Sequence, residues 1–90
     1  MPPVNGSDAS RGLFLRAALI LQVLTRNDPL GNVNPRRTWA ETWTFLGING
    51  IELAPGFDID GAERLVLDVS TGVEHSASTI AAALQTFAKH

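Results

Sequence analysis

Residues Asn27–Thr38 read NDPLGNVNPRRT, and the organisation of the whole chain turns on them. Asp28-Pro29 ends whatever helix precedes it, because a residue before proline is pushed out of the α region. Asn34-Pro35 then starts another. Asparagine is a good N-cap, and proline at N1 gives up an N–H that the helix would not have used. The stretch is therefore a loop between two helices, with Arg36 and Arg37 in the first turn of the second. Unpaired N–H groups there already form the positive end of the helix dipole, so two cations are misplaced unless something negative is nearby. Two readings stay open. The loop and helix start hold an anion such as phosphate, or the arginines are solvated and paired with carboxylates such as Asp28 or Glu41.

Upstream of the loop, Leu13–Leu24 (LFLRAALILQVL) is apolar at almost every position. It is too short to span a bilayer and reads as a core helix buried on most sides, running from Arg11 to Arg26 with Ser7 or Asp8 as cap. Residues 1–10 (MPPVNGSDAS) have the composition of a disordered lead-in. That makes residues 11–90 the folded domain. Downstream, Trp39, Trp43 and Leu46 recur at helical spacing and form an apolar stripe flanked by Ala40 and Phe45. Gly50 after Asn49 supplies the left-handed stop, and Ile51–Pro55 is extended. A third helix is expected with Asp60 and Glu63 at capping-box spacing and Gly72 as its end. A fourth starts at Ser76 or Ser78 and carries Ile80, Leu84 and Phe87 on one face. No run alternates at period two. The expectation is an all-α fold, a small bundle of about four helices.

Composition narrows the function classes. The 90 residues are 44% hydrophobic and 18% charged, with a formal net charge of −2. General nucleic-acid or membrane-surface binding would want a basic face, so neither is expected. The absence of cysteine excludes disulfides and thiolate metal sites. His75 and His90 are too far apart for a zinc site and read as surface residues. No small-residue cleavage site follows the apolar run, which favours a cytoplasmic protein. Trp39 and Trp43 read as core, and Asp58, Asp60 and Asp68 as groups that cap and solubilise the third helix.

Laid beside known families, Leu13 onward resembles the Fic/Doc family, and most of all its short Doc (death-on-curing) branch. That branch carries H-P-F/L-x-D-G-N-K-R-T where this chain has Asp28-Pro29-Leu30-Gly31-Asn32-Val33-Asn34-Pro35-Arg36-Arg37, without a gap. VLTRN (Val23–Asn27) resembles the run-in to that motif. WAETWTFLGINGIEL (Trp39–Leu53), FDIDGAERLVLDVSTG (Phe57–Gly72) and IAAALQTFA (Ile80–Ala88) resemble the helices that follow it. The bundle is then expected to correspond to the C-terminal part of the Fic/Doc fold.

The resemblance implies transfer of phosphate or AMP from a nucleoside triphosphate to a hydroxyl of a target protein. It implies ATP with Mg²⁺ as cofactor and an antitoxin as partner. Asn34 and Arg36 match the phosphate-binding part of the motif, and Arg37 beside them is a further phosphate-binding candidate. The other positions depart from it. Asp28 occupies the place of the family's general-base histidine, and with a reference pKa of about 4 it is a weaker base at neutral pH. Asn32 replaces the acidic Mg²⁺ ligand and removes a charge that the ion prefers. Val33 stands for the glycine of the cradle, and Pro35 for its lysine. General-base catalysis alone is worth about 10²–10⁴, so impaired or absent turnover and weak nucleotide binding are expected.

The segment that precedes the motif helix in Doc-like proteins, including the flap that docks the target, is represented by about a dozen unlike residues. That suggests a truncated member whose apolar helix 13–24 lacks cover and favours self-association or a protein partner. The alternative function is a non-enzymatic pseudo-toxin that binds an antitoxin or a homologous toxin.

Overall fold

The computed structural model describes residues 6–26, 34–74 and 76–89. These residues form four helices: α1 (Gly6–Arg26), α2 (Pro35–Ile48), α3 (Ile59–Ser70) and α4 (Ala77–Gln85). Among the described residues there is no sheet, only one isolated antiparallel bridge, Leu53 to Ala88. The all-α expectation is met. α1 is the central element and packs against the other three helices.

α1 departs from its expected form in two ways. It begins at Gly6 and not at Arg11, so Ser7 and Asp8 lie inside the helix instead of capping it. No proline lies between Pro3 and Pro29 to interrupt its hydrogen-bond ladder. It is also not buried on most sides. Phe14, Ala17, Ala18 and Leu21 face the core, whereas Leu15, Leu19 and Val23 stay 42%, 52% and 51% exposed. The two alanines explain the choice of face, because small side chains let neighbouring helices come close.

α2 starts and ends where its signals lie. The Asn34 side chain accepts a hydrogen bond from Arg37 N–H at 3.1 Å, and Pro35 opens the helix. At the other end Gly50 has φ +85°, a left-handed value costly for any other residue. Ile51 N–H returns to the Leu46 carbonyl at 2.9 Å. Trp39, Trp43 and Leu46 are buried as expected. Ala40 is exposed, and its place beside the stripe is taken by buried Thr38 and Thr42. The Thr42 hydroxyl donates to the Thr38 carbonyl at 2.9 Å, which removes the penalty of burying it.

α3 is capped by Asp58 and not by Asp60: the Asp58 carboxylate accepts from Gly61 N–H at 3.0 Å, and Asp60 falls in the first turn. A Cβ at position 61 would lie 2.6 Å from the capping carboxylate, so any larger residue there would push the Asp58 side chain from its present place. The aromatic ring of Phe57 sets this register. It stacks on Trp39 with centroids 6.0 Å apart, so the chain must turn into the helix immediately afterwards. α4 is capped by Ser76, one of the two expected serines. It ends at Gln85, so Phe87 follows the helix and does not belong to its face. Phe87 instead meets Trp39 edge-on at 4.9 Å. There the chain pairs with the segment after α2: Ala54 N–H donates to Phe87 O at 2.9 Å and Lys89 N–H to Glu52 O at 2.7 Å.

Candidate functional site

Of the sequence-derived candidates, Asn34, Arg36 and Arg37 lie at the α2 N-terminus. Asp28 and Asn32 fall within 27–33, outside the described residues, as do His75 and His90. The first turn of α2 contains no acidic residue. Its donors are largely spoken for. Pro35 has no N–H, Arg37 N–H is taken by the Asn34 side chain, and Thr38 N–H donates to Asn34 O at 2.9 Å. The Arg36 N–H is the first-turn donor that these bonds leave over.

The guanidinium groups have carboxylate neighbours. Arg37 Nε donates to Glu41 Oε1 at 3.0 Å, the pair that i,i+4 spacing suggested. Arg36 Nη2 lies 3.8 Å from Glu63 Oε2 on α3, with its side chain 81% exposed. Pairs this exposed contribute about 0–1 kcal/mol, so neither arginine is locked and both remain free to meet an anion from solvent.

Beside Arg36 the surface opens into a cavity of about 350 Å³ lined by Trp39, Phe57, Ile59, Ala62 and Glu63. Its wall is the edge of an aromatic cluster in which Trp39 also contacts Trp43 at 5.1 Å. The indole N–H groups of Trp39 and Trp43 are buried without a hydrogen-bond partner among the described residues. Sequence reasoning had placed Glu63 in a capping box and Phe57 at the head of the stretch that resembles the family's next helix. Their role beside Arg36 is a long-range contact that no local spacing announces. No group of three or more His, Cys, Asp or Glu among the described residues could hold a metal ion. Among the described residues no helix is long and apolar enough to cross a membrane.

No family profile matches the chain, and no solved structure matches it. A curated protein does. The chain is 47% identical over 85 residues to Toxin Doc of Mycolicibacterium smegmatis, a match covering 94% of this chain and 65% of that protein. The chain thus spans less than two thirds of that relative's length. An identity this high over nearly all of α1–α4 leaves no room for chance likeness, and the chain belongs to the Doc-like branch of the Fic/Doc family.

Proposed function

We propose that the chain acts as the toxin component of a toxin–antitoxin pair, with transfer of phosphate or AMP from a nucleoside triphosphate impaired or lost. The observation that carries this reading is the match to Toxin Doc over nearly the whole chain, in which the α2 start presents the Asn34 cap and two exposed arginines. Phosphoryl transfer depends on positioning and on neutralising charge. The α2 start supplies two guanidinium groups and one N–H toward an anion. Pro35 withholds both a cation and a donor at the position where the family has lysine. Asp28 and Asn32 would in turn leave the reaction without its histidine base and its carboxylate for Mg²⁺. An anion is held weakly on this reading, and ATP with Mg²⁺ more weakly than in family members with the full motif.

Expression in a bacterial host, with and without the product of the neighbouring reading frame, tests the pairing. Growth arrest relieved by that neighbour is the expected result; growth unaffected in both cases counts against a toxin. The chemistry is tested by incubating the protein with radiolabelled ATP, Mg²⁺ and lysate, beside the triple variant Asp28→His, Asn32→Asp, Pro35→Lys. Label on a lysate protein only with the triple variant is expected. Equal labelling by both forms would overturn the claim of impairment.

A further inference from the structure

We propose that Asn49-Gly50 is a latent site of asparagine deamidation, kept shut by the helix stop it forms and opened to reaction when the last turn of α2 unwinds. In an Asn-Gly pair no Cβ stands between the glycine nitrogen and the asparagine side chain, so that nitrogen can close on the side-chain carbonyl carbon. The stop occupies both groups that this reaction needs. Gly50 N–H, whose nitrogen is the nucleophile, donates to the Gly47 carbonyl at 3.0 Å, and Ile51 N–H donates to the Leu46 carbonyl at 2.9 Å. With Gly50 at φ +85° this is a complete Schellman motif. The Asn49 side-chain amide, the group under attack, is tied back into the helix and donates from Nδ2 to the Phe45 carbonyl at 2.8 Å. Ring closure has to break the Gly50 and Asn49 bonds together, so local opening of the turn gates the chemistry.

The reaction needs only water. The Gly50 nitrogen gives up its proton and bonds to Asn49 Cγ, while the side-chain nitrogen takes up a proton and leaves as ammonia. Water then opens the resulting succinimide at one of its two carbonyls, giving aspartate or isoaspartate. None of these species suits the stop. The succinimide nitrogen has no proton left for the Gly47 carbonyl. Aspartate has no donor for the Phe45 carbonyl, and it sets a negative charge at the negative end of the helix dipole. Isoaspartate inserts an atom into the backbone and shifts Gly50 and Ile51 out of register with their acceptors. The displacement feeds directly into the segment after α2, where Ala54 N–H donates to Phe87 O and Lys89 N–H to Glu52 O. Conversion is therefore one-way: it begins in an opened turn and leaves a turn that opens more readily.

The test is incubation at mildly alkaline pH, in native buffer and in urea, followed by tryptic digestion and mass spectrometry. The peptide Thr38–Arg64 contains Asn49 as its single side-chain amide, so an amide-to-acid mass change in it belongs to that residue. The peptide should convert in urea, and at least about tenfold more slowly in the native protein, where the turn must first open. Asn49→Gln, whose longer side chain closes a less favourable ring, should suppress the change in urea. The variant Asn49→Asp, which supplies one product directly, should speed amide hydrogen exchange at Gly50 and Ile51 relative to the parent. Equal rates in native buffer and urea, or no conversion in urea, would overturn the proposal. So would conversion undiminished in Asn49→Gln, or exchange at Ile51 unmoved by Asn49→Asp. The growth assay above and this chemistry fail or succeed separately.

Discussion

α2 and α3 begin within one aromatic cluster, yet their first turns are built to opposite electrostatic plans. α3 opens with an aspartate cap and a second aspartate, Asp60, in its first turn. Negative charge there complements the helix dipole, by about 0.3–1 kcal/mol per group. α2 opens with a neutral cap, a proline and two arginines, with no acid in the turn. The second plan gives up stabilisation that the first collects. The chain writes NPRR at the start of α2 and FDID at the start of α3, and the two cations find their carboxylate partners outside their own turn. The difference separates a helix start whose charges suit its own dipole from one whose charges oppose it and are met by Glu41 and Glu63.

The comparison breaks most severely at the residue both starts share. Trp39 touches Phe57 ahead of α3 and lines the cavity beside Arg36. Trp39→Ala should cost about 3–5 kcal/mol in chemical denaturation. Trp39→Phe should cost clearly less, because it keeps an aromatic ring against Phe57 and Phe87 and leaves a smaller cavity. Equal losses in the two variants would show that ring packing at this position does not set the cost.

A smaller effect separates the caps. Asp58→Ala and Asn34→Ala should each cost about 1 kcal/mol. Only the first should shrink as salt rises, since only that cap carries charge. A salt-dependent loss at Asn34 would mean that its neighbourhood is not the neutral one described. The smallest effect on stability belongs to the double variant Arg36→Gln, Arg37→Gln. Relief of the adverse dipole offsets the lost surface pairs, leaving a net change within about 0.5 kcal/mol. Inorganic phosphate should raise the melting temperature of the parent protein slightly and leave that of the double variant unmoved. Equal shifts in both would show that the arginines are not what phosphate meets.

What the sequence disclosed in advance is what the backbone needs locally. Asn34-Pro35, Asn49-Gly50, Gly72 and Ser76 mark helix ends because each solves a problem of unpaired N–H or left-handed φ within a few residues. Where two solutions competed, sequence alone misjudged. Asp58 and Asp60 are both competent caps, and Phe57 packing on Trp39 chose the earlier one. α1 offered too many apolar residues for any periodicity to select a face, and the small size of Ala17 and Ala18 selected it. The site divides the same way. Arg37–Glu41 lies one helical turn apart and could be anticipated; Arg36–Glu63 joins two helices and could not. The roles of Asp28 and Asn32 rest on family likeness alone.

The tryptophan pair also equips the protein with its own optical gauge. The chain has two tryptophans and no tyrosine, so nearly all of its near-ultraviolet absorption and emission arises from a single turn of α2. Two indoles 5.1 Å apart and tilted by 31° are close enough to couple their transitions. Their circular dichroism should collapse as soon as that turn loosens, while emission shifts to the red as water reaches the rings. Because Trp39 also borders the cavity next to Arg36, anything that settles there announces itself without a label.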